Sequence, residues 1–464
     1  MTATILIEGG TVIDGIGDTP RSNESVLISD GTITAVGAHA DALAHGRPDI
    51  ERIAAQDKTV MPGLIDAHTH LSFGEPTGND ELFFHRTEAF SAMLSARNAR
   101  KVLRAGVTSV LDADCLWNIG VELRDAIEAN VVEGPRMAAG GNALMTMLGG
   151  TAGRLIADEG RTGYATVVHN LEGISQEVRR QVKYGVDWIK VMVTGLIPSV
   201  KGPEVKVWNK TEMQTVVDAA HDLSTPVVGH CRNSLSTKEA AEAGMDLIYH
   251  ASYMDDDALE AVISHRTALC PTFTLLGNLY DYGERVGTNP DLLNVFKAEL
   301  EVTGRAIGKA KDAGVRVIAG SETGFAITPI GEWHARELEM LVEYAGFTPM
   351  EAIKAATSEA AWVMKMDGKL GAVAPGYAAD VIVVDGDPLR DIKVLARHGA
   401  ITEVIKAGKR IDISTPIPER TARPGEKVAF LATCPLTRSF ALEDTALPTN
   451  GVLSEQELAD LAKA

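Results

Sequence analysis

Eight short apolar runs recur between residues 62 and 322, and longer stretches with helical spacing separate them. They read PGLIDAHTH, TSVLDAD, RMAAGG, DWIKVMVT, TPVVGHC, DLIYHAS, ALCPTFT and VRVIAGSE. Strands that alternate with helices build βα units on a parallel sheet, and eight is the count that closes such a sheet into a (β/α)₈ barrel. The helical stretches stop where such units need them to. TEAFSAMLSARNARKVLRAG ends on Gly106 and SQEVRRQVKYG on Gly185, each placing glycine where a helix ends in a left-handed residue. The fold class read from the chain is α/β, a TIM barrel with a further small domain.

That further domain is written at both ends. TILIEGGTVIDG and SVLISDGTITAVG are short β-rich runs, with Asp30-Gly31 as the turn of a hairpin. KLGAVAPGYAADVIVVDGDPL and ITEVIKAGKRI repeat the texture. Residues 1–60 and 368–419 are therefore expected to form one composite β-sandwich, 61–367 the barrel and 420–464 a C-terminal extension. The extension holds an apolar stretch, VAFLATCPL, and a short helical candidate, SEQELADLAKA. A monomer would leave such a stretch partly exposed, so a homo-oligomer, a tetramer or larger, is expected.

His68 and His70 stand two apart at the end of the first run, and residues i and i+2 of a strand share a face. Both imidazoles can reach one ion. Lys190 lies inside the apolar run DWIKVMVT, where an ammonium is costly to bury unless it is paired or chemically changed. Pairing with Asp187 is one solution. The other is loss of the proton and addition of carbon dioxide, giving a carbamate whose oxygens can bridge two cations. His230 ends the fifth run and His250 the sixth. These donors then sit at the C-terminal ends of strands one, four, five and six, the face on which barrel enzymes carry their active sites.

The four cysteines, Cys115, Cys231, Cys270 and Cys434, are widely spaced without a C-x-x-C pair, so neither a disulfide framework nor a thiolate site is indicated. Imidazole and carboxylate-like donors suit zinc, with cobalt, manganese or iron as alternatives. Such an ion lowers the pKa of bound water and polarises a carbonyl, so hydrolysis is the natural reaction. The net charge of −19 argues against nucleic acid or an anionic membrane as a partner. MTATILIEGG lacks the basic start and long apolar stretch of a signal peptide, and no run approaches a membrane span, so a cytoplasmic enzyme with a small-molecule substrate is expected.

From about residue 4 to residue 410 the chain resembles the amidohydrolase superfamily. PGLIDAHTHL is similar to its first-strand signature, GVDWIKVMVTG to the segment of its carboxylated lysine, and APGYAADVIVVDGDP to its closing β segment. The phrasing resembles the branch of imidazolonepropionase-like proteins, prolidase-like dipeptidases and ochratoxin-type amidases, with phenylurea and thiocarbamate hydrolases nearby. The resemblance implies two divalent ions bridged by carboxylated Lys190, with His68 and His70 on the more buried ion and His230 and His250 on the more exposed one. It makes Glu322 and His250 the expected catalytic residues.

Three departures stand out. Glu322, in AGSETG, replaces the usual aspartate and is one methylene longer, yet it still supplies a general base. Asn142 stands where the branch often has histidine, and Tyr249 where it has glutamate. These changes point to a shifted substrate, and Arg232 offers a fork for a substrate carboxylate if it is not paired with an acidic residue. The loop ALMTMLGG offers an adaptable apolar wall or ordinary packing. The function expected is cleavage of an amide-type carbon–nitrogen bond in a dipeptide, N-acyl amino acid, carbamate or urea. The alternatives are hydrolysis of an ester or carbon–halogen bond, or a non-catalytic assembly protein on the same scaffold.

Overall fold

The computed structural model describes residues 4–76, 86–150, 163–196, 203–418, 420 and 434–442. Its parallel pairings run in a closed circuit. Leu64–Asp66 pairs with Val107–Asp112, which pairs with Arg136–Ala139. A bridge from Gly140 to Trp188 leads to Ile189–Met192, and pairing continues through Val227–Cys231 and Leu247–His250 to Ala268–Cys270. Bridges from Leu269 to Val317 and from Thr323 to Thr69 return to the start. Along this closing seam Ala67 N donates to Ala319 O at 2.9 Å and Glu322 N to His68 O at 2.7 Å.

The runs are strands because both of their faces are covered. Ile189–Met192, Val227–Cys231 and Leu247–His250 are buried at every position, which is why they read as continuous apolar stretches rather than alternating ones. The eighth run differs from expectation: residues 317–323 make isolated bridges instead of a continuous ladder. Glu322 has a φ of 56°, and a left-handed residue takes the backbone out of the extended form. Helices between the strands stop as read, Gly106 and Gly185 having φ of 84° and 89°. Asn170 and Asn209 cap the helices Leu171–Lys183 and Lys210–His221, the second through a capping box with Glu212.

The two chain ends share one eight-stranded sheet. Ile5–Val12 pairs antiparallel with Arg21–Ser29 and parallel with Thr59–Pro62, and Val381–Val384 lies antiparallel to Thr59–Pro62. The hairpin turn has φ of 48° at Asp30 and 77° at Gly31, positive at both central residues as a type I′ turn requires. Gly63 carries the chain from this sheet into the circuit, where a Cβ would come within 2.3 Å of Thr108 Oγ1. Arg136 Nε reaches Asp380 Oδ2 at 2.9 Å, tying sheet and circuit together.

The part of the C-terminal extension that is described packs on its own chain. Trp333 Nε1 donates to Leu436 O at 2.7 Å, and Leu436 N donates to Ala326 O at 2.8 Å. Cys434, Leu436 and Phe440 are buried against Ile327 and Trp333. The first residues of VAFLATCPL and the helical candidate over 454–464 lie outside the described residues.

Candidate metal centre

The strand ends deliver the predicted donors to one place. His68, His70 and Glu322 bring a ligand atom each to within 4.8 Å of one another, a group able to hold a metal ion. His230 Nδ1 lies 3.0 Å from His250 Nε2, and His250 Nε2 lies 3.9 Å from Glu322 Oε1. Lys190, His68, His70, His230 and His250 are all buried. His250 and Glu322 have φ of 70° and 56°. Left-handed backbone of this kind costs about 1–3 kcal/mol per residue and gathers at functional sites.

Hydrogen bonds fix which nitrogens are bare. His68 Nδ1 is 3.0 Å from Thr272 Oγ1, and that hydroxyl donates to Cys270 O at 3.2 Å. A hydroxyl has a single hydrogen, so Thr272 accepts from His68 Nδ1 and leaves Nε2 with its lone pair. His68 Nε2 has no hydrogen-bond partner, and neither do His70 Nδ1, Asp114 Oδ2 and Glu322 Oε2, although all are buried. Leaving such a buried polar atom unsatisfied costs about 1–3 kcal/mol, and a divalent ion placed among these atoms would satisfy them together. The donor set fits a divalent ion: tetrahedral ligand bonds of about 2.0–2.1 Å put neighbouring nitrogens about 3.3 Å apart, close to the 3.0 Å between His230 Nδ1 and His250 Nε2.

The charges agree with that use. Burial, aided by the Lys190 charge, holds the His68 imidazole well below its ordinary value, and burial takes His70 down to about 4. Burial and then the neighbouring His230 depress His250 as well. All three are therefore neutral donors near pH 7. Burial pushes the Glu322 carboxyl up to about 7, against the pull of Arg232 and Lys190, a value suited to taking and returning a proton. Of the two acidic residues in the second strand run, Asp112 is a clamp, accepting from Leu71 N at 2.9 Å, and burial raises its carboxyl well above the usual range. Burial would raise Asp114 too, but Lys190 and His70 overcome it and keep its carboxyl low.

Lys190 does not use Asp187. That carboxylate accepts from Arg124 Nη1 at 2.6 Å and from Ala139 N at 2.9 Å, whereas Lys190 Nζ lies 3.2 Å from Asp114 Oδ1. Tyr249 stacks on His68 with ring centroids 3.7 Å apart and donates to Ala67 O at 2.6 Å. The Arg232 fork meets protein carboxylates, with Nη2 2.9 Å from Glu299 Oε1 and Nε 3.8 Å from Glu204 Oε1. Asn142 is fully buried, its amide donating to Cys115 O at 3.0 Å and to Gly163 O. In the loop ALMTMLGG, Met145 is buried while Met147 and Leu148 are exposed.

Sequence reasoning missed Glu204 and Thr272. Glu204 Oε2 lies 2.9 Å from His230 Nε2, and its carboxyl is held down to about 2 because its neighbours His230, Arg232 and the Thr194 hydroxyl together outweigh burial. It stands in GPEVKVW, a stretch without periodicity, and nothing local ties it to a histidine in the next strand. Thr272 was read only as part of the seventh run; it is left-handed, with a φ of 58°, and this turns its hydroxyl to His68.

The Amidohydrolase family profile matches residues 59–411. Ochratoxinase of Aspergillus niger is 29% identical over 425 residues, covering 87% of this chain and 86% of that protein. The crystal structure of that ochratoxinase superposes with a TM-score of 0.76 at 26% identity, over 88% of this chain and 95% of the other. A Xaa-Pro dipeptidase with methionine bound in its active site gives a TM-score of 0.76 at 28% identity, over 88% and 99%. The strand-end donors and these likenesses agree, and the chain belongs to the amidohydrolase family and is a hydrolytic enzyme of that class.

Proposed function

We propose that this protein is a metal-dependent amidase that cleaves an amide-type carbon–nitrogen bond in a small molecule. The observation that carries the reading is the convergence of four buried histidines with Glu322, whose Oε2 has no hydrogen-bond partner. The closed circuit of parallel pairings is, on this reading, a (β/α)₈ barrel over 61–367, and the sheet formed by 1–60 and 368–419 a separate β-sandwich domain. Divalent ions bound here supply Lewis acidity that activates water and polarises a carbonyl. His68, His70, His230 and His250 would hold two ions, zinc first, with cobalt, manganese or iron accepting the same donors. Carboxylated Lys190 would bridge them.

Glu322 accepts the proton of the attacking water and returns it to the leaving nitrogen, so the amine departs neutral. His250, whose Nε2 lies 3.9 Å from Glu322 Oε1, would act through the ion it helps to hold. An apolar acyl or leaving group is proposed, since the His70 side of the site is apolar: His70 stacks on Phe73 at 4.3 Å and meets the edge of Phe325 at 5.6 Å, with Leu116, Met145, Tyr164 and Met192 packed in the same cluster. The names of the relatives, ochratoxinase and Xaa-Pro dipeptidase, support N-acyl amino acids and dipeptides as first substrates to try, with carbamates and ureas next. No helix among the described residues is long and apolar enough to cross a membrane; a cytoplasmic enzyme is proposed, with a homo-oligomer of four or more chains as its assembly, although the described part of the extension packs on its own chain.

The test is a screen of these four substrate classes with protein stripped of metal and then reloaded. Between one and two ions per chain and turnover restored by zinc, cobalt or manganese are expected. Full turnover in protein shown by elemental analysis to be metal-free overturns the reading.

A further inference from the structure

We infer that Glu204 is the positioning residue of His230: it holds the ring hydrogen on Nε2 and so turns the Nδ1 lone pair to the ion shared with His250. This rests on the metal-dependent reading above. The two nitrogens of His230 face opposite neighbours, Nδ1 lying 3.0 Å from His250 Nε2 and Nε2 lying 2.9 Å from Glu204 Oε2. A carboxylate only accepts, and a neutral imidazole carries one hydrogen. The hydrogen therefore sits on Nε2, and the bare lone pair is the one aimed at His250.

Glu204 is itself held from several sides. Its Oε2 accepts from Thr194 Oγ1 at 2.7 Å, and that hydroxyl oxygen accepts from Arg232 N at 3.1 Å. Its Oε1 faces Arg232 Nε at 3.8 Å, and its backbone carbonyl accepts from Asn233 Nδ2 at 2.6 Å. Arg232 is fixed in turn by Glu299, which also accepts from Ser252 Oγ at 2.6 Å. The carboxylate has one place to stand. His68 is fixed by the same logic with a different partner, the Thr272 hydroxyl. An ionised acceptor raises the basicity of the ring it holds, which a hydroxyl does not do, so His230 is the stronger donor of the two.

The experiment measures each ion separately in the intact protein. Wild type, Glu204→Gln and Glu204→Ala are loaded with cobalt(II), their visible spectra are recorded, and both ions are titrated against a competing chelator. One ion should bind 10–100-fold more weakly in Glu204→Ala, the usual cost of losing such a partner, with the other unchanged and the cobalt spectrum altered. Glu204→Gln keeps the shape and a neutral acceptor, so it should fall between wild type and alanine. If Glu204→Ala does not fold, the glutamine variant alone decides. Variants that fold and bind both ions with wild-type affinity and spectrum overturn this proposal and leave the amidase reading standing. Wild-type protein that binds no divalent ion overturns both.

Discussion

Lys190 Nζ lies 3.2 Å from Asp114 Oδ1 and 4.3 Å above the ring of Tyr249, deep among the strands. Both charged groups are 1% exposed. A buried pair of this kind is unforgiving, since removing one partner costs about 3–5 kcal/mol. Lys190 Nζ is turned to Asp114 and the Tyr249 ring rather than to solvent, and addition of carbon dioxide would first have to take the proton that Asp114 holds on it.

The first prediction concerns that step. In crystals of metal-loaded protein the density of Lys190 should extend past Nζ as a carboxylate, and the contact with Asp114 should be lost or remade. Lys190→Met should leave less than one tightly bound ion per chain by elemental analysis. A plain amine on Asp114 with both ions bound contradicts the bridge.

Burial pushes the Glu322 carboxyl up to about 7, and the proposed mechanism makes it the proton shuttle. Glu322→Gln should keep the fold and most of the metal while lowering kcat by about a hundredfold or more, the usual worth of a general base. Glu322→Asp should lose far less, because it keeps a carboxylate. Near-normal turnover in the glutamine variant would move the base elsewhere.

The C-terminal segment should be held by an acid-sensitive latch. Glu332 Oε2 accepts from Arg438 N at 3.1 Å and lies 3.6 Å from His398 Nε2. Burial alone would raise its carboxyl, but the His398 hydrogen bond and the Arg438 charge hold it down to about 2. A depressed carboxyl contributes stability above its unfolded value of about 4.3 and loses it as pH falls towards the folded value. The Tm difference between wild type and Glu332→Gln should thus be full at pH 6 and shrink between about pH 4.3 and 2. A difference that does not change with pH would show that the carboxylate charge is not what holds the segment.

Gly140 joins the third strand run to Trp188, and a Cβ there would lie 1.6 Å from Ala113 O. Backbone cannot step aside as a side chain does. Gly140→Ala should force the second and third runs apart and cost about 1–3 kcal/mol, as overpacking does. Thermal or urea unfolding measures it, and an unchanged midpoint would mean that the seam is looser than its geometry.

Local rules made much of this protein legible in advance. Strand runs buried on both faces, glycines at helix stops and the Asp30-Gly31 turn depend on a few neighbouring residues, so the alternation of elements and the pairing of the chain ends could be read directly. His68 and His70 were readable as neighbours of one site because they stand two apart in the first apolar run, although the strand itself stops at Asp66 and both lie just beyond it. The places of Lys190, His230 and His250 were readable because each ends or occupies an apolar run. Partnerships across the circuit were not. Glu204 with His230, Lys190 with Asp114, and His68 with Thr272 join residues 26, 76 and 204 positions apart, and no periodicity links them. Arg232 was legible as a cation but not as one already held by Glu204 and Glu299. Closure of the strands determines which strand ends become neighbours, and only then do burial and hydrogen bonding select the partner of each charge and the bare nitrogen of each histidine.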